Sequence, residues 1–135
     1  MEKTSTRDEV VASIVAALNA RDANSIRPLL MPDVLMEYPY SPSGYVQSVL
    51  GVDEVIKCLD RVLAGFARFA LKVSHEYSGP DGVLMEARSE AERIDGTVYA
   101  NQYVLVWEFA GGLVQVWREY FDPRKLQAAS GIRIV

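Results

Sequence analysis

Cysteine and histidine are all but missing from this chain: one of each, Cys58 and His75, stands among 135 residues. A single cysteine excludes an internal disulfide and a cysteine-based metal cluster, and with one histidine a structural zinc site is not expected. Cys58 falls in a helical pattern beside Ile56 and Leu59, where a small buried thiol is the plain reading. Clustered positive charge is missing too. The formal net charge is -4 with no basic run, so the footprint that holds a phosphate backbone is lacking and nucleic-acid binding is not expected. No stretch is long and apolar enough to span a bilayer, and Glu2, Lys3 and Thr4 open the chain without the apolar segment of a signal peptide. A cytoplasmic protein with no membrane partner is expected.

What is present is the balance of a globular domain. Half the residues are hydrophobic and 24% are charged, and the length suits one domain over residues 1–135. Thr6 followed by Glu9 forms a capping-box pattern, after which Val11, Ile14, Val15 and Leu18 recur at helical spacing. Asp22 can cap a shorter helix carrying Ile26, Leu29 and Leu30, with Pro28 limiting its regularity and Pro32 ending it. Val34, Met36 and Tyr38 then alternate as a short strand, which Pro39, Pro42 and Gly44 break into a loop through Tyr45. Val55, Ile56, Leu59, Val62, Leu63 and Phe66 mark the longest helix, stopping at Gly65.

After that helix the pattern is sheet. Phe69, Leu71, Val73, His75 and Tyr77 alternate with polar residues up to a turn at Gly79-Pro80-Asp81-Gly82. Val83, Met85, Ala87, Ser89 and Ala91 form the apolar face of the next strand, which ends at a hairpin turn, Asp95-Gly96. Tyr99 to Phe109 is a third strand, and Gly111-Gly112 returns it as Leu113 to Phe121. Helices followed by an antiparallel meander predict an α+β fold. Asp122-Pro123 has the form of an N-cap and first helical residue, so a short last helix is expected over one end of the sheet.

Regular alternation in the last strand sends Leu113, Trp117, Glu119 and Phe121 to one face and Val114, Val116, Arg118 and Tyr120 to the other. Glu119 therefore shares its face with bulky apolar groups. A carboxylate there has a partner, a shifted pKa or a reaction to run. The same alternation turns His75, Tyr77, Arg93 and Asp95 inward, provided no bulge intervenes. A curved sheet closed on one side by helices can leave a cavity that such residues would line. For each the plainer role stays open: His75 as a hydrogen-bonded core histidine, Arg93 and Asp95 as an ordinary surface hairpin, Glu119 as half of a buried ion pair. Tyr38, Tyr45 and Tyr103 could supply hydroxyls or walls. A two-residue Gly111-Gly112 loop would set Val104 opposite Glu119, and a three-residue loop would set Tyr103 there. Trp107, Phe109 and Val116 would form an apolar patch on the opposite face, suited to a dimer interface.

The order of elements, with Tyr99-Ala-Asn-Gln-Tyr103 leading to a glycine turn and then Trp117-Arg-Glu-Tyr-Phe-Asp-Pro123, resembles the SnoaL-like proteins of the nuclear transport factor 2 fold superfamily. The resemblance covers nearly the whole chain. It implies a cone-shaped, strongly curved mixed β-sheet wrapped around the N-terminal helices, with an internal and mostly apolar pocket. It also implies a homodimer. Relatives of this type include ketosteroid isomerases, polyketide cyclases, limonene epoxide hydrolase and non-catalytic binding domains. Arg93-Ile94-Asp95 is similar to the Arg-x-Asp element of the epoxide hydrolase branch, in which both side chains work on the epoxide oxygen. Glu119 falls where that branch has the aspartate that holds water. Glu37 to Tyr45, followed by Gly51, looks more like the loop of SnoaL-like and phenazine-type members.

Together these point to acid/base catalysis on a small hydrophobic or cyclic metabolite, without metal or cofactor. Glu119 would move the proton, His75 or Asp95 would complement it, and Arg93 or a tyrosine would stabilise negative charge. Tyr38, Tyr45, Tyr77, Tyr103, Trp117 and Phe121 would contact the substrate. The rivals are a protein that encloses a hydrophobic molecule without changing it, and a module that binds a partner through the outer sheet face.

Overall fold

Thr6 starts the first helix as its pattern predicts. Its hydroxyl accepts the Glu9 backbone N–H at 3.2 Å, and the Glu9 carboxylate accepts the Thr6 N–H at 3.3 Å, opening α1 (Arg7–Asn19). The computed structural model describes residues 6–129; Glu2, Lys3 and Thr4 lie outside them. A 3₁₀ helix over Ala23–Leu29 follows, with Pro28 inside it, and Leu30 already belongs to β1 (Leu30–Glu37). Asp22 precedes that turn without capping it through its side chain. A short strand absent from the sequence reading, β2 (Ser48–Leu50), pairs with β1, and α2 (Val52–Ala64) then buries Val55, Ile56, Cys58, Leu59 and Leu63.

The sheet continues through β3 (Phe66–Ser78), β4 (Gly82–Arg93), β5 (Val98–Tyr99), β6 (Gln102–Ala110) and β7 (Leu113–Phe121). What reads as one strand from Tyr99 to Phe109 is thus two, β5 and β6. The order is β2-β1-β7-β6-β4-β3 with β5 on β4, and only β1 and β7 run parallel. The result is a curved, unclosed mixed sheet in an α+β fold, with α1 against β3 and β4 and α2 against β1, β2 and β3. Asp122 accepts the Arg124 backbone N–H at 3.0 Å and starts α3 (Pro123–Ala128), which brings Leu126 over the interior.

Two bulges decide which residues face inward. In β3, Val73 pairs with Ala87 but His75 pairs with Glu86, so Ser74 is an extra residue. Beyond it the faces are exchanged. Glu76 and Ser78 turn to the side of Met85 and Val83, where the Ser78 hydroxyl donates to Asp8 at 3.2 Å, and His75 and Tyr77 turn outward.

In β7, Phe109 pairs with Val114 but Glu108 pairs with Val116, which makes Gln115 the extra residue. Its side-chain amide donates to the Asp33 carbonyl at 3.3 Å and carboxylate at 3.1 Å, anchoring the bulge to β1. Leu105 stands opposite Glu119, in place of Val104 or Tyr103. Trp107 is consequently buried against Trp117, ring centres 5.7 Å apart and planes tilted by 55°, and is no part of an outer patch. Phe109 packs on the core beneath the Arg7 guanidinium, and Val114 is buried where regular alternation had turned it out.

Candidate functional site

β7 delivers Glu119 to a cavity of about 80 Å³. Leu59, Val62 and Leu63 of α2 close one side, Leu18 and Leu126 come from the other helices, and Tyr38, Tyr103, Leu105 and Phe121 flank the carboxylate on the sheet side. Phe66, Phe69, Leu71 and Tyr99 complete the wall. Asn19, at the end of α1, fixes that wall by pairing with the Leu71 backbone: its Oδ1 accepts the N–H at 2.6 Å and its Nδ2 donates to the carbonyl at 3.2 Å.

Glu119 Oε1 accepts the Trp117 indole N–H at 3.1 Å, the one hydrogen bond to this carboxylate among the described residues. Its second oxygen is left to the cavity. The residue keeps some accessible surface because it borders the void, and its neighbours there are almost all apolar or aromatic. Burial pushes its pKa up to about 7, against the smaller downward pull of the Trp117 N–H. Burial also raises the Tyr38 and Tyr103 hydroxyls well above their ordinary value, and Tyr99 and Cys58 less, with the Glu119 charge adding to each. The tyrosines therefore stay protonated beside the carboxylate and can act as hydrogen-bond donors.

Those hydroxyls are held in place. Tyr38 donates to the Met36 thioether at 2.9 Å, a weak acceptor that a better one could replace. Tyr103 bonds the Ser89 hydroxyl at 2.9 Å, and Tyr99 accepts the Asn101 amide at 2.7 Å. Asn101 is the centre of this array. Its backbone N–H donates to Ser89 at 3.1 Å, its Nδ2 also donates to the Asp122 carbonyl at 3.0 Å, and its Oδ1 accepts the N–H groups of Gln102 at 2.8 Å and Asp122 at 3.1 Å. Asn101 and Ser89 are the two fully buried polar residues among those described. The sequence reading assigned them no role, although Asn101 shares odd-numbered parity with Tyr99, Tyr103, Leu105 and Trp107, which marks it as inward.

Of the residues expected at the site, Glu119, Tyr38, Tyr103 and Phe121 converge, and Trp117 supports the carboxylate from behind. His75, Arg93 and Asp95 do not join them. The His75 side chain is 63% exposed and faces Glu86 at 3.6 Å on the outside, because the Ser74 bulge reverses its strand. Tyr77 stacks on it, 53% exposed, for the same reason. Asp95 is exposed in the hairpin turn, where its carboxylate accepts the Thr97 N–H at 3.0 Å, the main cause of its lowered pKa. Arg93 reaches Asp95 at 3.3 Å, so these two form the surface hairpin that was the plainer alternative. Tyr45 packs on the core outside the cavity lining.

Residues 11–117 match the family model of the SnoaL-like domain, and the chain belongs to that family. Solved structures share the fold over nearly the full length. A nuclear-transport-factor-2-like protein of unknown function from Burkholderia pseudomallei superposes with a TM-score of 0.82 at 22% identity, covering 94% of this chain and 99% of its own. A limonene-epoxide-hydrolase-like enzyme from Mycobacterium tuberculosis gives 0.72 at 20% identity, covering 91% and 87%. A hypothetical protein of ketosteroid isomerase-like fold from Catenulispora acidiphila, in complex with trimethylamine, gives 0.77 at 18% identity, covering 96% and 97%. Likeness at this identity establishes the fold alone. A comparison with curated protein sequences finds no match.

Proposed function

We propose that this chain is a cofactor-free acid/base enzyme acting on a small apolar or cyclic metabolite, with Glu119 as the proton-transferring group. The observation that carries the proposal is a carboxylate poised near neutrality at the wall of an otherwise apolar cavity. Trp117 orients one oxygen and leaves the other free to take a proton from a bound carbon or oxygen acid. The Tyr38 and Tyr103 hydroxyls are the donors available to negative charge developing on the substrate. Isomerisation, cyclisation, dehydration and epoxide opening all fit this reading, and the isomerase-like and epoxide hydrolase-like neighbours support it at the level of reaction class.

Solvent-deuterium exchange next to the carbonyl of cyclopentenone, followed by NMR, tests the base. Glu119→Gln should lower the exchange rate roughly 10²- to 10⁴-fold with the fold retained. Exchange at the buffer rate by the unaltered protein, with the ketone demonstrably bound, would overturn the assignment. A second reading, enclosure without turnover, gains from one observation: none of His75, Arg93 or Asp95 reaches the cavity to complement Glu119. The exchange experiment separates the two. The same proposal places two copies together through the outer sheet face, where Leu84, Val104, Val106 and Tyr120 are half-buried in the single chain; sedimentation equilibrium checks it.

A further inference from the structure

Among the described residues the cavity holds one carboxylic acid and no compensating cation: none of their lysine, arginine or histidine side chains lines it. The titratable groups that face Glu119 from the neighbouring elements are Tyr38 beyond β1, Cys58 on α2, Tyr99 of β5 and Tyr103 of β6, and none of them can carry positive charge. Trp117 offers a neutral donor. An ionised Glu119 is thus a buried negative charge for which none of the described residues supplies a counter-ion.

The walls complete the pattern. Six aromatic rings border the void: Tyr38, Phe66, Phe69, Tyr99, Tyr103 and Phe121. Phe66 packs against Phe69 at 5.4 Å and Tyr99 at 6.3 Å between ring centres, and Tyr38 meets Phe121 at 6.3 Å. Ring faces attract cations, and an enclosure of rings is a recurrent means of holding alkylated ammonium groups. Size narrows the choice. At about 80 Å³ the void is roughly half of the ~150 Å³ known to accept benzene, which limits its contents to a compact head group or one small ring.

We propose that the cavity is a site for a compact organic cation, an alkylated ammonium group seated among the aromatic rings with Glu119 as its counter-charge. An anion of the same shape would meet the carboxylate with no offsetting group, and a neutral isostere would gain only the apolar contacts. This rests on the reading that the cavity is the ligand site, and it specifies the substrate as one bearing such a head group.

Three probes of similar size but different charge test it: tetramethylammonium, tert-butanol and pivalate, titrated by calorimetry and by the combined emission of Trp107 and Trp117. At about pH 8.5, where Glu119 is mostly ionised, tetramethylammonium should bind at least roughly tenfold more tightly than tert-butanol, and pivalate should not bind. Lowering the pH to about 5.5 should erase that advantage in the unaltered protein. Glu119→Gln should erase it at both pH values while keeping the tert-butanol affinity. Equal affinity for cation and neutral probe, or preference for pivalate, overturns the cation site and leaves the cavity as a ligand site. Failure of all three probes to bind or to change the emission overturns both.

Discussion

Glu119 couples the chemistry of the cavity to the stability of the fold. Its pKa in the folded chain is about 7, against an ordinary glutamate value of 4.5. The proton is therefore held more tightly in the folded state, and the stability it confers is fully present below about pH 4.5 and lost as the pH rises through 7. The shift corresponds to about 3 kcal/mol between those limits. Glu119→Gln should remove this dependence and stabilise the protein by a similar amount above about pH 8, which urea unfolding at acidic and alkaline pH would measure. Equal slopes for the two proteins would show that the carboxylate is better solvated than its surroundings imply. That Glu119 is special was legible from Trp117 and Phe121 two residues to either side. That Asn101 joins Ser89, Tyr99, Gln102 and Asp122 is not legible in the sequence, because Ser89 and Asp122 meet it only once the strands have paired.

Among the elements, α1, α2 and α3 follow their sequence signals, since the Thr6–Glu9 box, the Gly65 stop and the Asp122-Pro123 start are local chemistry, whereas the segment after Asp22 is an uncapped 3₁₀ helix whose expected Leu30 belongs to β1. The strands follow theirs only up to their bulges. Nothing in Val73-Ser74-His75 announces an extra residue, and the error carried His75 and Tyr77 to the wrong face. For β7 a clue existed. Tyr103, Trp107 and Phe109 of β6 and Trp117 and Phe121 of β7 are all odd-numbered, while pairing Ala110 with Leu113 matches odd residues to even ones, so both aromatic sets can face inward only across a bulge. The close β4–β6 approach makes a further demand. A Cβ at Gly82 would lie 1.9 Å from the Trp107 carbonyl oxygen, whereas one at Gly79 would meet nothing within 4 Å. Gly82→Ala should therefore cost about 1–3 kcal/mol or more, and Gly79→Ala should be near neutral, in parallel chemical-denaturation curves. A neutral Gly82→Ala would mean that the two strands part readily there.

At the scale of the whole molecule, the α+β architecture is readable from the order of helices and strands and a cavity beside Glu119 is expected from its apolar face, but the size of that cavity is not, because it depends on how far the curved sheet stands off α2. An unfilled void of about 80 Å³ costs the fold about 2 kcal/mol at roughly 24 cal/mol per Å³. Val62→Phe, reaching in from α2, should recover about 1 kcal/mol of this as a higher Tm while abolishing probe uptake, the exchange expected where a site is kept open at the expense of stability. A higher Tm with uptake unchanged would show that ligands occupy some other place.

The Gln115 bulge has a consequence for how such a protein could diversify. Arg118 and Glu119 are adjacent on β7, one salt-bridged to Glu37 outside and the other enclosed within. Deleting Gln115 would straighten the strand and leave Leu105 still opposite Glu119, so that loss is tolerable to the site. Inserting one residue between Val116 and Trp117 would instead advance the ladder by a step and present a guanidinium to the aromatic chamber. The same step would turn Trp117 and Phe121 outward and Tyr120 inward, so one codon gained would change both the charge the interior selects and part of its wall.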